Sequence, residues 1–159
     1  TGAAVAATDG TLGATSQGES VVNLEIVDRV LISSVADIAL GAYGGTGSLV
    51  GESEFCVYRN GGDNYNLTLT ADTGAFEVTS ATTSDNIAFS VNVDDDTDAS
   101  DGEAMAYNTA SAGLAGSGSM NCGGADNASM EVSFAEAALQ AASSANDYTA
   151  TVTILVSPI

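Results

Sequence analysis

The chain has no histidine, no lysine and no tryptophan, a single proline, two cysteines and, as its only basic residues, Arg29 and Arg59. Each shortage excludes something. A surface without a basic patch has little with which to hold a phosphate backbone or an anionic bilayer, so neither nucleic acid nor a membrane is an expected partner. Without histidine or lysine, the commonest proton shuttle and the amine nucleophile are missing. The 21 acidic residues offer carboxylates, but no spacing singles out a pair. We therefore expect no enzyme activity and no cofactor. No apolar run approaches the roughly 20 residues a membrane-spanning helix requires. With five tyrosines and four phenylalanines in 159 residues, the core must be largely aliphatic.

The formal net charge is −19. Self-repulsion of this size is muted in saline water, where the screening length shrinks from ~8 Å at physiological ionic strength to ~3 Å at 1 M. A zinc site on Cys56 and Cys122 would have to complete its ligands with carboxylates, a poor set for a structural metal. A Cys56–Cys122 disulfide is the expectation instead, and with it an oxidising, secreted setting. A cleaved secretion signal would fit a chain that starts at Thr1.

Thr, Ser, Gly and Val are abundant, which suits short strands and tight polar turns. The stretch at residues 20–33, SVVNLEIVDRVLIS, organises the rest. Val22, Leu24 and Ile26 alternate with Asn23 and Glu25, the period of a half-buried strand. Asp28-Arg29 interrupts the pattern as a charged hinge, and Val30-Leu31-Ile32 begins a second apolar run. Residues 1–19, with only Val5 and Leu12 as sizeable apolar groups, cannot bury enough surface to order themselves. They are expected to be a flexible leader, or an arm ordered only against a partner.

Downstream, Ile38 and Leu40 share one face before the glycine-rich turn at residues 41–47. Residues 54–60 (EFCVYRN) place Phe55, Val57 and Arg59 on one side. Gly61-Gly62-Asp63-Asn64 signals a turn, and Tyr65, Leu67 and Leu69 then alternate with Asn66, Thr68 and Thr70. The pair reads as a hairpin. Phe76 and Val78 mark a short strand, and Ile87, Phe89, Val91 and Val93 a longer one. Met130, Val132 and Phe134 share a face, residues 135–142 form about two helical turns, and residues 148–156 alternate again until Pro158 stops the strand. Seven or so short strands at this spacing predict an immunoglobulin-like sandwich.

The acidic loop at residues 94–103 invites a calcium reading. Asp94, Asp96 and Asp98 match the first three positions of a hand-type loop. The sixth is Ala99 where glycine is needed, and the twelfth is Met105 where glutamate is needed. A solvated loop is the expectation, and no metal site. The sequons at Asn66 and Asn127 are short patterns of high chance frequency and are expected to be unused.

The run FCVYRNGGDNYNLTLT resembles bacterial pilins of the chaperone–usher route, especially the archaic and alternate classes and related spore-coat-U-like secreted domains. The shared pattern is a strand carrying Cys56, the Asn60-Gly61 turn, then Tyr65-Asn66-Leu67-Thr68-Leu69. The ending is similar too, with a short Ala/Leu segment at residues 134–142 and a final strand from Asp147-Tyr148 to Val156. In order, the likeness covers most of residues 21–158. It implies a sandwich lacking one strand, completed by the N-terminal strand of the next subunit. Carried onto this chain, it makes residues 20–28 the donor strand and hinge, with Val22, Leu24 and Ile26 as its plugs, and residues 29–159 the pilin domain.

The resemblance further implies a major structural subunit of a secreted, extracellular pilus or fimbria. Its partners would be identical subunits joined head to tail, and a periplasmic chaperone and outer-membrane usher during assembly; its roles would be adhesion or biofilm scaffolding. Two features depart from the pattern: the leader is longer than usual, and many relatives carry their first cysteine nearer the N-terminus. The alternatives are that residues 20–27 are the ordinary first strand of a self-contained monomer, and that the chain is a monomeric secreted binding module, a tip adhesin or carbohydrate binder.

Overall fold

A computed structural model describes residues 7–159; the first six residues of the leader, Val5 among them, lie outside the described residues. The fold is all-β, with antiparallel sheets and one short α-helix, α1 (Glu136–Ala141), among the described residues. Strands β1 (Val30–Ser33), β2 (Leu49–Arg59), β9 (Ala128–Phe134), β6 (Ser90–Asp94) and β7 (Glu103–Ala104) form a five-stranded sheet in that spatial order. Strands β10 (Val152–Pro158), β3 (Asn64–Ala71) and β8 (Leu114–Ala115) form a second, three-stranded sheet, and β4 (Glu77–Thr79) pairs with β5 (Asn86–Ala88).

The alternating residues of the two larger sheets meet in one core. Phe55, Val57, Val91, Val93, Met130, Val132 and Phe134 come from the first sheet, and Tyr65, Leu67 and Leu69 from the second. Register keeps the apolar rows together: Leu67 stands opposite Val156, and Leu69 opposite Ile154. Phe89 stacks between Phe76 and Phe134, with centroids 5.8 and 5.2 Å away, a range in which aromatic contacts add to area burial.

Three sequence expectations change. The expected hairpin between residues 54–60 and 65–70 is not formed, because β2 and β3 belong to different sheets. Gly61 and Gly62, at φ 87° and 74°, turn the chain through left-handed backbone that favours glycine, and it crosses the sandwich instead of returning beside itself. The single strand expected from Ile87 to Val93 is broken at Phe89 into β5 and β6, which pair with different neighbours. Inward alternation survives the break, which is why the pattern looked continuous. The loop after β6 is not simply solvated. Ala99 is fully buried and its N–H donates to Glu52 Oε1 at 2.8 Å, while the acidic crest at residues 95–98 and Ser100, Asp101 and Glu103 face water.

Just before β9 begins, Asn127 takes its place beside β2. Its Oδ1 accepts from Val57 N at 2.8 Å and its Nδ2 donates to Val57 O at 3.2 Å, so a side-chain amide stands in for a peptide. Asn66 Nδ2 donates to Ser111 O at 2.6 Å. Both sequon amides are thus engaged inside the fold.

Cys56 on β2 is joined to Cys122 across a sequence separation of 66, as expected, and pins the loop that carries Asn127. On the chain-entropy account a closed loop of this length contributes about 4 kcal/mol. A Cys56→Ser/Cys122→Ser variant should lose stability of that order in urea unfolding, and added reductant should bring the wild-type chain to the same midpoint.

Candidate groove and N-terminal arm

β10 pairs with β3 along one edge only; its outer edge has no ladder partner among the described residues. Facing that edge is the strap formed by residues 35–40, which follows β1 but pairs with no strand. Two residues of β2 hold the strap in place. Ser53, buried among apolar neighbours, accepts from Ala36 N at 3.2 Å and donates to Ala36 O at 3.0 Å through its hydroxyl. Gly51 leaves the space into which Ile38 and Leu40 settle, since a Cβ there would stand 2.5 and 2.6 Å from their methyl groups.

Between strap and β10 lies a groove of about 440 Å³, within the size range of sites that hold ligands (roughly 300–1,000 Å³). Its floor is apolar, with Phe89, Met130, Val132 and Phe134 at the bottom, and residues 149–152 with Ile154 form the far wall. An unpaired strand edge above an apolar floor is the template to which an extended segment adds.

The far wall is anchored by carboxylates. Asp147 accepts from Ser80 Oγ at 2.5 Å and from the Thr82 amide and hydroxyl at 3.0 and 2.8 Å. These bonds, the Ser80 hydroxyl foremost, hold its carboxyl below the ordinary value. Asp85 is likewise lowered, chiefly by Ser143 and then by Tyr148, whose hydroxyl also reaches it. The acidic loop is mixed: burial raises Asp94, whereas the Ser100 hydroxyl and amide lower Asp98; beside the loop, burial followed by the Asp95 and Asp94 charges raises the Tyr65 phenol. No group of three or more acidic or sulfur ligands able to hold a metal occurs among the described residues. Asp96 and Asp98 instead accept from neighbouring amides of the same loop, Asp98 N and Ser100 N.

The arm lies at the other extreme of exposure. Val22, Leu24 and Ile26 are 90%, 84% and 75% exposed, and residues 20–29 belong to no strand and pair with none of their own molecule. The strand expected at residues 20–27 is therefore not laddered within the described chain. N-terminal to it, Thr8 and Glu19 exchange two backbone bonds of 3.1 and 2.9 Å, so that part of the leader expected to be flexible is a closed, exposed loop.

The expected hinge at Asp28-Arg29 is the best-held part of the arm. Arg29 N donates to Asn60 Oδ1 at 2.7 Å, Asn60 Nδ2 donates to Val27 O at 3.1 Å, and Arg59 pairs with Asp28 at 3.2 Å. Sequence reasoning missed this role of Asn60, which read only as a turn residue. Arg59 did carry a signal, since a guanidinium alternating with Phe55 and Val57 must find an anion on the way into the core.

A scan against models of known protein families finds no match, and a search of curated proteins finds none either.

Asp147 gives a pH test of the groove wall. Because its native carboxyl titrates below the ordinary 3.8, its contribution is present above that value and is lost as pH falls through the depressed native one. Asp147→Asn should lower the Tm at pH 7. The gap to wild type should close on acidification below the ordinary carboxylate range, as followed by thermal melts across pH 2–7.

Proposed function

We propose that this chain is a major structural subunit of a secreted, extracellular bacterial filament of pilus type, polymerised when residues 20–28 of one copy complete the sandwich of the next. One observation carries the reading: the same molecule presents three aliphatic side chains in period-two alternation with no seat of their own, and a groove with an apolar floor bordered by an unpaired strand edge. The two are chemically matched. Val22, Leu24 and Ile26 fill the floor, at about 1.5–3 kcal/mol each for full burial. The arm's backbone ladders onto β10, each bond adding a net ~1 kcal/mol. On this reading the domain is an immunoglobulin-like sandwich short of one strand.

The resemblance of residues 21–158 to chaperone–usher pilins supports the same assignment. It also points to a periplasmic chaperone covering the groove before an usher hands the subunit to its neighbour. An exposed edge over an apolar floor needs such cover, because it invites indiscriminate pairing. The disulfide fits an oxidising compartment. Adhesion or biofilm scaffolding is then mechanical work done by the assembled polymer.

Deleting residues 1–27 should abolish the heat- and detergent-resistant ladders that the full chain gives on a gel, and Leu24→Asp should weaken them severely. Ladders that persist without the arm would remove the plug assignment. A full chain that stays monomeric at high concentration would favour a self-contained binding module, which a glycan-binding screen of the monomer would then probe.

A further inference from the structure

The arm is joined to the domain by three consecutive residues, all held by Arg59 and Asn60 at the end of β2. Val27 O accepts from the Asn60 side chain. Asp28 pairs with the Arg59 guanidinium. The backbone of Arg29 both donates to Asn60 Oδ1 and, through its carbonyl, accepts from Asn60 N at 3.2 Å. The pairing of β1 with β2 starts one residue later, at Val30 opposite Arg59. Asn60 thus prolongs that ladder past the last strand residue by lending its side chain as a surrogate peptide. Beyond it, residues 20–26 are exposed and belong to no strand.

Arg59 makes this attachment hard to release. The residue is 5% exposed, its Nη1 donates to Asn64 O, and its Nε has no partner among the described residues. Asp28 is the carboxylate paired with it. Swinging the arm root away would leave a buried guanidinium without its counter-charge, which is far costlier than separating an exposed pair. The Asp28-Arg29 dipeptide is therefore a fixed point and not a swivel.

We infer that Asn60 and Arg59 form a clamp that sets the direction in which the arm leaves its domain. Asn60 and Arg59 are positioning residues: neither borders the groove, and they act through the backbone of residues 27–29. In a filament, where this inference rests on strand donation, the clamp transmits the orientation of one subunit to the next and makes the joint stiff. Bending then has little free chain in which to occur, because residues 20–26 would be laddered into the neighbour and residues 27–30 into their own domain.

The test is an electron-spin distance measurement on the full chain. Nitroxide labels are placed on the polar side of the arm (Glu25→Cys) and on the β4–β5 turn (Ala81→Cys). The sample is diluted with unlabelled chain, so that only distances within one copy are read in any assembly state. The clamp predicts a narrow distribution in the otherwise wild-type chain. Asn60→Ala and Asp28→Asn should each broaden it about twofold or more, toward the width of a flexible linker; Asp28→Asn, which strips the buried guanidinium of its counter-charge, should also lower the Tm. Asp28→Asn, at a largely exposed position, keeps the test open if Asn60→Ala does not fold. A wild-type distribution as broad as a flexible linker's, or variants as narrow as wild type, would overturn the clamp. Micrographs separate this from the filament reading. Filaments of the variants that still form but curve more tightly support both; an absence of filaments from every version counts against strand donation alone and leaves the distances to judge the clamp.

Discussion

The outer edge of β10 governs the rest of the molecule. Peptide groups along a strand need partners, and an apolar floor beside them needs cover. Residues 35–40, which line the groove, do not supply that partner. They are held to β2 by the Ser53 hydroxyl and by the close seat over Gly51, so they form a wall and not a strand of the sheet. A groove is thereby left beside that edge, and the molecule carries a segment with the period and chemistry of a strand, held outside it. Complementarity between what is missing and what is displayed is the physical basis of the proposed assembly.

Charge decides which kind of contact can join copies of this chain. At −19, approach is opposed over the range of the screening length, and surface ion pairs between copies have almost no cations to draw on. Both arginines are placed at the arm root, and Arg59 is spent on Asp28. Apolar burial and backbone hydrogen bonding depend little on net charge, and they are what the slot and the arm offer. The acidic crest at residues 95–98 and the exposed carboxylates elsewhere then serve to keep finished surfaces apart and soluble.

Much of the fold was readable from period-two alternation. Tyr65-Leu67-Leu69, Met130-Val132-Phe134 and the final strand face inward as their pattern requires, and the short helix stands where the Ala/Leu run placed it. What alternation cannot tell is which strands pair. Asn60-Gly61-Gly62 is as compatible with an arch between sheets as with a hairpin, because both demand the same left-handed backbone. The break at Phe89 left no trace, since β5 and β6 keep the same inward parity. The disulfide followed from an inventory of two thiols without histidine. The groove needed coordinates, for its walls come from residues 35–40 and 149–154, far apart in sequence. So did the clamp, in which Asn60 works through a side-chain amide that resembles any other turn asparagine.

The central claim is that the slot of one copy is filled by the arm of another. It is tested most directly by photo-crosslinking from Leu24 in a mixture of isotopically heavy and light chains, with the joined peptides identified by mass spectrometry. Strand donation predicts mixed heavy–light products linking position 24 to groove residues such as Val132 or Ile154. Crosslinks confined to a single copy, or directed to surfaces outside the groove, would contradict it.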